Sequence, residues 1–220
     1  MTDLIAENPA TSDLTRAAEL LAGAPWKRFA VLGDSTAAGI REVVDGYPDK
    51  SWSELFTERL AAVQPGLAAH NFGQKGLLTR EVRAKQLAPA LEFQPDLAVI
   101  LCGGNDLLRG SFDGVADEFD TIVGGLREQG ATVVTMSLFD ITKTDLLPED
   151  FKPALRAQLD EMYALLDGVA ARHDTVHLHF GGHPSAAEPG IYASDYQHLT
   201  THGHAVVAAE LVRRLAEQIG

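Results

Sequence analysis

Short, uninterrupted apolar runs alternate along this chain with longer stretches in which apolar residues recur every three or four positions. Runs of the first kind at 29–33, 68–72, 97–102, 132–137 and 175–179 consist largely of Val, Ile, Leu and Ala without polar alternation. That is the pattern of strands buried on both faces. Stretches of the second kind put Leu55, Phe56, Leu60 and Val63 on one helical face, and Val115, Phe119, Ile122 and Leu126 on another. A third face carries Leu155, Leu159, Met162, Leu166 and Val169. Ser12 is placed to cap a first short helix that stops near Gly23 and Pro25, and Thr200 to cap a last helix running to about Gln218. Arg213 and Arg214 near the end of that last helix complement its dipole. The alternation predicts an α/β fold, a three-layer α/β/α sandwich around a five-stranded parallel sheet. It reads as one domain over residues 1–220, with 1–26 as an N-terminal helical extension. Open sheets of this kind bind ligands beyond the carboxyl ends of their strands, so polar residues directly after a strand are the functional candidates.

Composition narrows the partners. With 31 acidic against 18 basic residues the formal net charge is −13, which repels phosphate backbones and anionic lipid headgroups, so neither nucleic acid nor a membrane is an expected partner. No apolar run approaches the length of a bilayer span. The opening residues carry acids where a secretory signal would carry bases, which points to the cytoplasm. The single cysteine, Cys102, lies inside an apolar run and reads as a small buried hydrophobe.

Four post-strand segments supply the chemistry. "GDSTAAG" at 33–39 follows the first strand, with Gly33 allowing an unusual turn and Ser35 standing above the sheet. "NFGQKG" follows the second, where Gly73 and Gly76 are expected to leave backbone N–H groups open to a ligand. "GGND" follows the third and sets the Asn105 amide at the same rim. Asp195 and His198, in "SDYQHLTTHGH", are three residues apart, a spacing that brings both side chains to one side of a turn. A serine hydroxyl needs a base within hydrogen-bond reach, and the base needs a partner that fixes its tautomer; Ser35, His198 and Asp195 match those roles. The N–H groups of Ser35 and Gly73 and the side chain of Asn105 are the candidate oxyanion donors.

These blocks, in this order over residues 29 to about 216, resemble the SGNH (GDSL-type) hydrolase family. The resemblance implies a flavodoxin-like sandwich, hydrolysis of carboxylic esters, thioesters or acetyl groups in a small-molecule substrate, and no metal or organic cofactor. It also implies catalytic roles for Ser35, Asp195 and His198 and oxyanion-hole roles for Ser35, Gly73 and Asn105. Thr36 departs from the Leu common in the family, a change that bears on packing or specificity. Hydrolysis and transfer of the acyl group to a second substrate both remain open, as does a non-catalytic small-molecule-binding domain on the same sheet.

Other residues have plainer readings. Asp34 and Asp106 suit structural hydrogen bonds within their loops, and Trp26 and Trp52 suit packing. Lys75, between two loop glycines, is a candidate substrate contact set against a solvated loop lysine, and Asp140 and Lys143 could line the same rim. His198 and His202 have the spacing of adjacent helical turns and could be imagined as a zinc pair, but no second-shell arrangement is evident and no metal site is expected. His202 and His204 read as polar residues in the first turn of the last helix, while His177 and His179 alternate along a strand and share a face.

Overall fold

A computed structural model describes residues 14–219. Ser12, the expected first cap, lies outside the described residues. The main sheet contains β1 (Arg28–Gly33), β3 (Ala68–Asn71), β4 (Leu97–Leu101), β5 (Thr132–Met136) and β6 (Val176–Leu178). Every pairing is parallel, in the order β3-β1-β4-β5-β6. Counting only these strands, that is 2-1-3-4-5, the flavodoxin-like order, whose direction of build-up reverses beside β1.

Helices cover both faces, as the apolar strand runs require. On one side α1 (Leu14–Leu20), α2 (Trp52–Val63) and α7 (Thr201–Ala216) bury Trp52, Phe56, Leu60 and Leu211 against Phe29, Val31 and Val99. On the other α3 (Thr79–Phe93), α5 (Val115–Glu128) and α6 (Lys152–His173) bury Val82, Phe119, Ile122 and Leu166 against Leu32, Ala98 and Ile100. A five-residue helix, α4 (Gly104–Leu108), follows β4 directly. Thr200 caps α7 as expected, its hydroxyl accepting from Gly203 N–H at 3.3 Å. Among the described residues no helix is long and apolar enough to cross a membrane.

Three elements depart from expectation. β3 is an exposed edge strand, with Ala69, His70 and Asn71 open to solvent, although its neighbours are buried. Helix α3 has no counterpart in the apolar pattern, because the face it buries is Thr79, Val82, Gln86 and Ala90 and Pro89 lies inside it. A separate parallel ribbon pairs β2 (Arg41–Glu42) with β7 (Leu199–Thr200). It ties the segment after Ser35 to the segment after His198.

Candidate active site

Ser35 and Asn105 follow β1 and β4, the neighbouring strands beside which the order reverses, where an open α/β sheet leaves a crevice. Gly33 makes the turn at the end of β1. Its φ is +147° and an added Cβ would sit 1.9 Å from the Leu101 carbonyl oxygen, so only glycine fits. The Gln86 side chain of α3 reaches this point and bonds both Gly33 N–H and Gly33 C=O at 2.8 Å. No regular helix follows Ser35. The chain closes in tight turns, with Ala38 N–H donating to Asp34 C=O and Ile40 N–H to Ser35 C=O.

The turn is braced from three sides. Asp34 is buried and accepts from the Thr36 N–H at 3.0 Å and the Thr36 hydroxyl at 2.7 Å. Burial raises its pKa above the ordinary carboxyl value despite those bonds. Trp52 is fully buried, and its indole N–H donates to Thr36 C=O at 3.0 Å. Asn71 donates through its amide to Ala37 C=O at 2.8 Å. Asp106 does for the next loop what Asp34 does here, accepting from Thr79 N–H and the Thr79 hydroxyl.

His198 arrives on the last loop. Its Nε2 is 2.8 Å from Ser35 Oγ, and its Nδ1 is 2.6 Å from Asp195 Oδ2. A carboxylate only accepts, so the ring proton sits on Nδ1 and Nε2 is left to accept from the serine hydroxyl. Asp195 Oδ1 meanwhile accepts from the backbone N–H groups of Gln197 and His198, each at 3.0 Å. Partial burial works against the Asp195 charge, yet the His198 ring and these two N–H groups pull its pKa down to about 2. Tyr196 takes φ +59° between the two, a left-handed turn that folds Asp195 back onto the ring. Glu42 of the ribbon accepts from Ser194 N–H at 2.7 Å and fixes the loop's approach.

The Asn105 amide donates to Leu77 C=O at 2.9 Å, which uses one of its two hydrogens. The Ser35 N–H has no hydrogen-bond partner among the described residues. Gly73 does not meet its expectation. Its N–H donates to Asn71 Oδ1 at 2.8 Å, and an added Cβ would stand 2.5 Å from Ala38 N. Its lack of a side chain serves close packing on the Ala37–Ala38 backbone. Among the described residues the Gly76 N–H has no hydrogen-bond partner, and Gly76 has φ +81°; the following Leu77 carbonyl bonds Asn105.

Beside Ser35 and His198 opens a cavity of about 150 Å³. Leu107, Leu138, Phe139, Ile141, Leu155 and Leu159 form its apolar wall. Among the described residues no lysine or arginine lines it. Lys75 is exposed and away from the wall. Asp140 and Lys143 are also not at the rim: Asp140 pairs with Arg156 and caps a short 3₁₀ turn, while Lys143 Nζ donates to Gly181 C=O at 2.6 Å. The imagined His198–His202 zinc pair does not form, since His202 stacks on Tyr47 and faces Glu188. His204 is buried, with Nδ1 accepting from Trp52 N–H at 3.0 Å and Nε2 donating to Ile40 C=O at 3.2 Å. It stands in the first turn of α7, as expected, but as a buried core histidine.

A hydroxyl, an imidazole and a carboxylate joined in series at the strand ends of such a sheet place this chain in the class of serine hydrolases. The sequence pattern of the GDSL-like Lipase/Acylhydrolase family matches residues 31–206, and the chain belongs to that family, whose members hydrolyse carboxylic esters. No curated protein matches the sequence significantly. Solved structures share the fold. A structure of TesA is 22% identical with TM-score 0.64, covering 86% of this chain and 97% of its own. The psychrotrophic esterase EstA from Pseudoalteromonas sp. is 15% identical with TM-score 0.66, over 88% and 98%. The acetylxylan esterase Axe2 from Geobacillus stearothermophilus is 19% identical with TM-score 0.69, over 86% and 94%.

Proposed function

We propose that the chain hydrolyses uncharged esters with an alkyl acyl chain through an acyl-Ser35 intermediate. The carrying observation is the unbroken hydrogen-bond series from Ser35 Oγ through His198 to Asp195. His198 Nε2 takes the hydroxyl proton as Ser35 Oγ attacks the ester carbonyl; the same proton then goes to the departing alkoxide. Water, deprotonated by His198 in turn, releases the acid and restores Ser35. Asp195, anionic down to about pH 2, holds the ring and stabilises the imidazolium formed in each step. The tetrahedral oxyanion is met by Ser35 N–H, the free hydrogen of the Asn105 amide and, in place of Gly73, the Gly76 N–H.

The cavity supports the substrate class. Its aliphatic and aromatic wall favours burying an alkyl chain and offers a sugar few polar partners. Without a lining lysine or arginine, in a chain of net charge −13, a phosphate-bearing leaving group has nothing to neutralise it. Cytoplasmic residence belongs to the same reading, supported by the free, buried thiol of Cys102.

The test is a panel of p-nitrophenyl esters of increasing chain length, acyl-CoA thioesters and acetylated sugars, with Ser35→Ala as the blank. Alkyl esters longer than acetate should give the highest kcat/KM. A preference for acetylated sugars or for CoA thioesters would overturn the substrate class while leaving the serine mechanism standing.

A further inference from the structure

Away from the active site, two histidines are held as metal-binding histidines are held. His177 on β6 and His179 just beyond it alternate onto one face of the sheet, opposite Thr135 and Ser137 of the β5 segment. His177 Nδ1 lies 2.8 Å from Thr135 Oγ1, and His179 Nδ1 lies 3.3 Å from Ser137 Oγ. Such bonds to one ring nitrogen orient the ring and aim the other nitrogen outward; with the ring as donor to the hydroxyl, this is the outer-shell arrangement of histidine ligands. The His179 ring is further held edge-on to Tyr163, 4.7 Å between centroids at 85°. His177 Nε2 is buried and makes no hydrogen bond among the described residues, a cost that folded proteins seldom leave uncompensated. Facing it at 3.6 Å is Asp167 Oδ1 of helix α6, beyond hydrogen-bond range. One ligand atom from each of Asp167, His177 and His179 falls within 4.8 Å of the others.

We propose that Asp167, His177 and His179 bind one zinc-like divalent transition-metal ion at the β6 edge of the sheet. The spacing suits it: tetrahedral bonds of about 2.0–2.2 Å put a ligand nitrogen and oxygen about 3.4 Å apart. Two imidazoles and a carboxylate are a borderline donor set, matched to zinc rather than to magnesium or calcium. Asp167 is exposed on helix α6, so the closure still needed can come from rotation of its side chain towards the two held rings. Three protein ligands leave a fourth position for water. The site uses none of the residues proposed for ester hydrolysis. Among the described residues no other trio of His, Cys, Asp or Glu brings its ligand atoms together in this way.

The test uses the full chain without a histidine tag, stripped with chelator, dialysed, and titrated with zinc chloride alone by calorimetry. One ion per chain should bind. Asp167→Asn and His179→Ala, both at exposed positions, should each weaken binding by at least the roughly 10–100-fold that loss of an outer-shell partner alone costs. His202→Ala, which alters a histidine beside a different carboxylate, should leave it unchanged. Cobalt(II) in place of zinc should give a visible absorption band of low-coordinate type that both ligand variants lose. Melting temperatures establish that the variants are folded. Absence of saturable zinc binding, or undiminished affinity in folded Asp167→Asn and His179→Ala proteins, would overturn the proposal.

Discussion

One hydrogen of the Asn105 amide is committed to Leu77 C=O, and the other is free to meet charge that appears only as a carbonyl becomes tetrahedral. Such a donor acts on the transition state, so Asn105→Ala should lower kcat by about 100- to 1,000-fold and leave KM comparatively unaffected. Steady-state kinetics alongside a melting curve decides this: a fall in stability with normal kcat would mean that Asn105 only ties down its loop. Asp195→Asn likewise should depress kcat far more than it raises KM, because the amide can present a donor where the Nδ1 proton needs an acceptor. An unchanged kcat would place the orienting group elsewhere. These side chains were legible in the sequence because each stands at a fixed place after a strand or beside a second polar residue. The two glycines of "NFGQKG" were not separable that way. Which N–H stays open is decided by the Asn71 side chain, which claims Gly73 at 2.8 Å and leaves Gly76 free, and nothing local in the sequence marks that choice.

Among the elements, α3 shows where pattern reading fails. A helix that buries Thr79, Val82, Gln86 and Ala90 carries almost no apolar stripe, because part of its buried face is polar and spent on hydrogen bonds. Gln86 is the clearest case, clamping both backbone groups of Gly33 just before Ser35. Gln86→Leu should therefore strand the buried Gly33 N–H at a cost of about 1–3 kcal/mol, while Gly33 C=O keeps its bond from Gln74 N–H, and should lower kcat as the turn loosens. Urea melts and ester turnover check both parts; wild-type stability in this variant would show that the clamp is dispensable. The β2–β7 ribbon was equally hidden. Two-residue strands have no period to detect, and this one exists because tertiary contacts bring residues 41–42 against 199–200. The five main strands were legible to within about a residue: β1, β4 and β5 because near-continuous burial leaves continuous apolar runs, while β3 is largely exposed and β6 only partly buried.

Across the whole molecule, the buried His204 makes stability depend on pH. Burial lowers its pKa from 6.5 to about 4, against the pull of its bond to Ile40. The unfolded chain therefore binds this proton more readily than the folded one. Stability is full above about pH 6.5 and is lost as pH falls towards about 4, by about 3 kcal/mol at most. His177, His183 and His202, also lowered by burial, act in the same direction. Urea midpoints followed from neutral pH to about pH 4 should fall steadily, and less steeply in His204→Gln; equal slopes would remove His204 from the account.

The proposed ester hydrolysis depends on one oxygen atom, Ser35 Oγ, being the nucleophile that His198 activates. The measurement closest to that claim is mass spectrometry of the protein after a fluorophosphonate probe, read together with p-nitrophenyl ester turnover in wild type and Ser35→Ala. A single adduct on the peptide bearing Ser35, loss of turnover in step with labelling, and a folded Ser35→Ala protein that neither labels nor turns over ester are the expected results. Turnover at the wild-type rate in Ser35→Ala, or an adduct on another residue that accompanies inactivation, would contradict the claim.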